Sequence, residues 1–167
     1  VHGRAIAVLG AGGAARAAAI GLASEGASVT VFARRVDRAA AIAADGAGLP
    51  GSIAGAPWES LAAWRGHAVV HCTPVGMEGG PEPDRSPVDA DVVRAWGPGV
   101  VVMDTVYRPA ETVLVRVARS AGCPVVLGTE MYAVQAAGQI RAWTGAPPPD
   151  GLIERIVHGV FASLPPR

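Results

Sequence analysis

Gly10, Ala11, Gly12, Gly13, Ala14 and Ala15 stand between a short apolar run, residues 4–9, and an alanine-rich stretch that runs on to Ala23. A strand that ends in glycines and reopens as a helix leaves the first backbone N–H groups of that helix unpaired. The positive end of the helix dipole lies beside them. Such a place suits a phosphate. The spacing Gly10-x-Gly12-x-x-Ala15 matches the glycine fingerprint of dinucleotide sites. Gly10 turns the chain out of the strand where a Cβ would block it. Gly12 leaves room for a pyrophosphate to approach the backbone. Ala15 is small enough for the helix to pack hard on the sheet. The pattern needs a second strand close by, and residues 27–32 supply it.

The end of that second strand selects among nucleotides. An NAD site carries Asp or Glu there, to accept from the ribose 2′-OH. Here the residues are Ala33-Arg34-Arg35, with Arg38 one turn on, and Asp37 falls at the helix start. Guanidinium groups match a 2′-phosphate through charge-assisted, often bidentate bonds, and a carboxylate would repel it. The expected cofactor is therefore NADP. A methyltransferase using S-adenosylmethionine also has a glycine-rich first turn, but it too wants an acidic residue at this point. The plain alternative is a solvated basic helix start.

Composition narrows the classes further. The 167 residues are enough for one domain with a real core; 50% are apolar and 17% charged. The formal net charge is zero, which gives no support for nucleic-acid binding. No apolar run reaches the roughly 20 residues of a membrane span, and nothing reads as a signal peptide. Cys72 and Cys123 form no metal or disulfide pattern, so they read as free thiols of a reducing, cytoplasmic compartment. No metal site is expected: His67 and His71 flank a strand, not a helix turn. All fourteen basic residues are Arg, and there is no Lys.

Strands are expected at residues 4–9, 29–32, 68–72, 100–104 and 124–127, with Ile53 as a short additional one. Helices are expected at 13–25, 36–47, 57–64, 89–95, 110–121, 130–143 and 150–163, with a Pro-rich break at 146–149. Residues 73–87 hold four Pro and three Gly and read as a long polar loop. The alternation predicts an α/β, Rossmann-like three-layer sandwich with a mainly parallel sheet and helices on both faces. Ligands of such sheets sit beyond the carboxyl ends of the strands. The loops at 10–14, 33–35, 72–77, 104–109 and 128–131 should meet there.

Five ordered motifs resemble those of the shikimate dehydrogenase family. Gly10 to Arg16 looks like its cofactor loop, and Ala33-Arg34-Arg35-Val36-Asp37-Arg38-Ala39 resembles its Asn-Arg-Thr-x-x-Arg-Ala segment. His71-Cys72-Thr73-Pro74-Val75-Gly76-Met77 is similar to its Asn-x-Thr-Pro/Ser-x-Gly-Met loop. Asp104-Thr105-Val106-Tyr107-x-Pro109 looks like its Asp-x-x-Tyr-x-Pro. Gly128-Thr129-Glu130-Met131 with Gln135-Ala136 resembles its Gly-x-x-Met and Gln-Ala pair. The variants Asp-Thr-Val-Tyr, Gly-x-Glu-Met and Trp143 to Pro147 are nearest the dehydrogenase half of bifunctional dehydroquinate dehydratase–shikimate dehydrogenases.

The resemblance implies reversible NADPH-dependent reduction of 3-dehydroshikimate. It places Thr73, Pro74 and Val75 under the adenosine and nicotinamide ribose, and Gly128 and Met131 at the nicotinamide. Tyr107 then borders nicotinamide and substrate, and Gln135 bonds a substrate hydroxyl. The departures are Ala33 and Arg35 for Asn and Thr, and His71 for Asn. His71 reads better as a hydrogen-bonded strand-end residue than as a catalyst, and Asp104 as a residue that orders its adjoining loop.

Reducing a ketone also needs a proton donor. The family takes it from a Lys–Asp pair on an N-terminal substrate domain, and this chain has no Lys. The chain begins with Val directly before a strand, so it reads as a piece of something longer, with no catalytic residue of its own. Residues 1–145 are expected to form the cofactor domain. The helix in 146–167, with Ile153, Ile156, Val157, Val160 and Phe161 on one face, is expected to pack on the absent domain in cis, or to drive homodimerisation. The rival readings are a quinate-type polyol dehydrogenase using NAD, a non-catalytic nucleotide-binding module, and a structural domain with a vestigial loop.

Overall fold

The structure, a computed structural model, describes residues 1–163, with only the backbone of Glu154, His158 and residues 160–163. Six strands, β1 (Ala5–Leu9), β2 (Ser28–Ala33), β3 (Ser52–Pro57), β4 (Ala68–His71), β5 (Val101–Asp104) and β6 (Val125–Val126), form one sheet in the order β3-β2-β1-β4-β5-β6. Every adjacent pair is parallel. The helices are α1 (Gly13–Ser24), α2 (Val36–Asp45), α3 (Ala90–Trp96), α4 (Val113–Ser120), α5 (Gly128–Thr144) and α6 (Leu152–Ser163).

Alternation along the strands builds two cores. Ile6 and Val8 of β1 face Ala15, Ala19 and Ala23 of α1 and Ile42 of α2. Ala7 and Leu9 face the other way, onto Val93 and Trp96 of α3 and Leu114 and Ala118 of α4. A parallel sheet covered on both faces follows from strands that are apolar on both sides. Ala15, Ala19 and Ala23 of α1 are fully buried, so this helix lies close on the sheet.

The larger departures from the sequence reading are these. β3 is six residues long, although Ser-Ile-Ala-Gly-Ala-Pro carries little β-branched signal. Its small residues are required by packing: a Cβ on Gly55 would lie 2.8 Å from the Ala40 nitrogen of α2. The helix expected at 57–64 is a single 3-10 stretch, Trp58–Ala63. α4 begins at Val113, not Ala110, because the Thr112 hydroxyl accepts the Val115 N–H at 3.2 Å and fixes the start there. α5 begins at Gly128, two residues early, where the Glu130 carboxylate accepts the Leu127 N–H at 2.7 Å.

α6 packs on α5: Ile153 and Val157 are buried with Ala133 and lie against Ala136, Ala137 and Ile140. Ile156 remains exposed. Val160 and Phe161, placed on the same face by the sequence, lie outside the described side chains.

Candidate cofactor site

The sheet reverses its order between β1 and β4, which opens a crevice at the carboxyl ends of these strands. The register puts the strand ends in one row: Phe32, Leu9, His71 and Asp104 are successive neighbours across the sheet. The loops that follow them therefore emerge side by side. Those after β1, β2 and β4, together with Trp58, line a cleft of about 570 Å³ walled by Gly10, Ala11, Gly12, Ala33, Arg34, Arg35, Arg38, Trp58, Cys72, Thr73 and Pro74. Three of the five loops expected at this edge meet here; 104–109 borders a neighbouring cleft, and none of 128–131 lines these clefts.

The two glycines of the turn do different work. Gly10 has φ +108°, and a Cβ there would come within 3.0 Å of the Thr73 methyl and 3.1 Å of the Cys72 carbonyl. Gly12 has an ordinary φ of −92°, and a Cβ there would meet nothing within 4 Å. The space beside Gly12 is thus open cleft, at the start of a helix with no side-chain cap and no acidic residue in its first turn. Gly13 and Ala14 form that first turn, and both are exposed. This cradle fits a pyrophosphate. Gly10→Ala is expected to destabilise the fold by at least about 1 kcal/mol. Gly12→Val should leave thermal unfolding unchanged and remove nucleotide affinity. Chemical denaturation and calorimetry on the two variants separate these outcomes.

Arg34, Arg35 and Arg38 are exposed on the cleft, and among the described residues none of them pairs with a carboxylate. Asp37 does not line the cleft. Three guanidinium groups thus bring unpaired positive charge to the cleft wall at the end of β2. Trp58 shares this wall. The sequence marked it only as a helix start; its position depends on β3 pairing beside β2.

Two further clefts continue from the first. Arg34, Trp58, Thr73 and Pro74 also wall a space of about 300 Å³, where Val75 joins them. Thr73 and Pro74 then border a third, of about 340 Å³, with Met77, Glu78, Thr105, Val106, Tyr107 and Arg108. Arg108 grips Glu78 through Nε and Nη2 at 2.6 and 3.2 Å, tying the polar loop after β4 to the loop after β5.

Tyr107 is half exposed, and its ring meets Tyr132 of α5 with centroids 5.3 Å apart. Gly128 is buried; a Cβ on it would lie 2.2 Å from the Val106 carbonyl, so only glycine lets α5 start against this loop. Met131 is half-buried and Gln135 exposed on the same helix. Their spacing puts Met131, Tyr132 and Gln135 on neighbouring surface of α5. Tyr132 was absent from the sequence reading, since its partner lies on another element.

His71 and Asp104 are fully buried. Asp104 accepts from His71 Nδ1 at 2.9 Å, from the Val106 N–H at 2.9 Å and from the Thr112 hydroxyl at 2.6 Å. Asp104 thus orders the loop after β5, as the sequence suggests. His67 accepts the Ala5 N–H at 3.1 Å on its Nδ1.

Burial pushes the Cys72 thiol up from 9.0 to about 12, with Asp104 adding to the rise and a hydrogen bond to Thr105 opposing it. The thiol therefore stays protonated although it lines the cleft. Iodoacetamide at about pH 8 is expected to spare Cys72 in the native protein and label it after unfolding. The unfolded thiol ionises first as pH rises above 9.0, while the native one holds its proton to about 12. Stability should fall across that window, and less steeply in Cys72→Ala.

No family model matches the chain. The chain is 38% identical over 161 residues to a shikimate dehydrogenase (NADP(+)) of Methanosarcina mazei, covering 94% of this chain and 56% of that one. Shikimate 5-dehydrogenase of Thermus thermophilus, solved with NADP(H) and shikimate, is 34% identical with a TM-score of 0.78, covering 94% of this chain and 55% of the other. Quinate dehydrogenase of Corynebacterium glutamicum, solved with NAD, is 29% identical with a TM-score of 0.80, covering 96% and 55%. The chain spans about half the length of the curated relatives it matches. By identity along nearly its whole length, and by a fold shared with the solved enzymes, this chain belongs to the shikimate dehydrogenase family over the part of those proteins that it spans.

Proposed function

We propose that this chain is the NADP-binding half of a shikimate dehydrogenase. One observation carries the reading: the open cradle at Gly12 lies in the same cleft as three guanidinium groups without carboxylate partners. Gly10, Ala11, Gly12, Gly13 and Ala14 would hold the pyrophosphate. Arg34, Arg35 and Arg38 would take the 2′-phosphate. Thr73, Pro74 and Val75 would floor the crevice, with Gly128 and Met131 at the nicotinamide and Tyr107 and Gln135 toward the substrate. NADPH supplies a hydride when bound. The residues here supply binding, orientation and exclusion of water. The chain contains no Lys, so a Lys–Asp proton-donor pair would come from residues outside it, on a substrate domain in cis.

The first cleft has no carboxylate on its wall, and Glu82, which shares the second cleft with Arg34, pairs with Arg85; this favours NADP over the NAD used by a quinate-type enzyme. The Asp104-Thr-Val-Tyr107, Gly128-x-Glu130-Met131 and Trp143 to Pro147 variants support kinship with the bifunctional dehydratase–dehydrogenases. Ile156, exposed on α6, is the remaining described part of a face toward that second domain or a second copy.

NADP is expected to raise the melting temperature in proportion to the logarithm of its concentration. The chain alone, given shikimate and NADP, should form no NADPH. A melting temperature indifferent to NADP would refute the binding reading, and turnover by the chain alone would refute the division of labour.

A further inference from the structure

We propose that His71 is a positioning residue for the dinucleotide and acts through Thr73; this rests on the cofactor reading above. The ring of His71 is bonded on both sides. Nδ1 reaches Asp104 Oδ1 at 2.9 Å, and Nε2 reaches the Thr73 hydroxyl at 2.5 Å. The proton order follows from what each group can give. Asp104 Oδ1 already accepts the Val106 N–H and Oδ2 the Thr112 hydroxyl, so this carboxyl group is an acceptor and Nδ1–H donates to it. Thr73 Oγ1 accepts the Val75 N–H at 3.3 Å, and its own proton goes to Nε2. The chain Thr73–His71–Asp104–Thr112 runs from the cleft wall through two fully buried side chains to the cap of α4.

Thr73 is where this chain meets the ligand space. It lines all three clefts along the carboxyl edge of the sheet. Its methyl points at the glycine turn, 3.0 Å from where a Cβ of Gly10 would stand. A threonine can exchange hydroxyl and methyl by a turn of χ1. The bond to Nε2 selects the rotamer that puts the hydroxyl inward and the methyl toward Gly10. His71 thereby sets the shape of the seam between the phosphate turn and the residues after it.

The test is a double-mutant cycle on NADP affinity with His71→Asn, Thr73→Val and the pair, each also melted without ligand. Thr73→Val keeps the side-chain shape and loses the hydroxyl. We expect His71→Asn and Thr73→Val each to weaken NADP about tenfold. The pair should be no weaker than either alone. In the wild type, His71 should give an exchange-protected imidazole N–H resonance, absent from His71→Asn. Multiplying losses, or affinity unmoved while the melting temperature drops, overturns the proposal and leaves the cofactor reading standing. If His71→Asn does not fold, Thr73→Val decides alone: full affinity in that variant overturns the proposal. A wild type that does not bind NADP overturns the cofactor reading, and the proposal with it.

Discussion

Asp104→Ala is expected to lose about 3–5 kcal/mol of folding stability. Three donors converge on this carboxylate: His71 Nδ1–H, the Val106 N–H and the Thr112 hydroxyl. Both partner side chains, His71 and Thr112, are almost wholly shielded from solvent. Truncation leaves these donors without an acceptor and without water. It also frees Thr112, whose hydroxyl starts α4. A typical domain is stable by about 5–15 kcal/mol, so the loss is a large share of the total. Urea denaturation measures it. A loss below about 1 kcal/mol would mean that the cluster is hydrated or already loose.

The second large effect falls on binding. Arg34→Ala is expected to lose about 1–3 kcal/mol of NADP affinity, the range for a hydrogen bond to a charged group. NAD affinity should stay within about 0.5 kcal/mol of the wild type, because NAD has no 2′-phosphate to lose. Arg34 is exposed, so the difference should shrink as salt is raised, as screening requires. Arg35 and Arg38 line the same cleft and should each give smaller losses of the same sign. Equal losses for NADP and NAD would show that Arg34 serves the fold or the pyrophosphate, not the 2′ position.

How far such features can be read from sequence depends on the distance over which they are encoded. The glycine turn was legible because Gly10, Gly12 and Ala15 act within six residues. The arginine cluster was legible too, since Arg34, Arg35 and Arg38 follow directly on β2 and share the cleft with the turn. The strand-end row from Phe32 to Asp104 needs the order and register of four strands, and no single stretch carries that information. For this reason His71 and Asp104 were each read singly, and their pairing came only from β4 lying beside β5. Trp58 was hidden similarly: its local pattern says helix start, while its place on the cleft comes from the position of β3. β3 itself carries a weak local signal, because Gly55 answers to the backbone of α2 and not to strand propensity. The Glu78–Arg108 pair joins two loops thirty residues apart in sequence. The sequence marked both stretches as loops, and the contact between them is set by the fold.

The crevice joins a bare helix end, suited to a pyrophosphate, to three arginines suited to a second phosphate. Calorimetric titration of the wild-type chain with NADP and with NAD, at one low ionic strength, measures this most directly. The expected result is tighter binding of NADP by about tenfold or more, corresponding to at least one charge-assisted bond to the added phosphate. Equal affinities, or a preference for NAD, would contradict it.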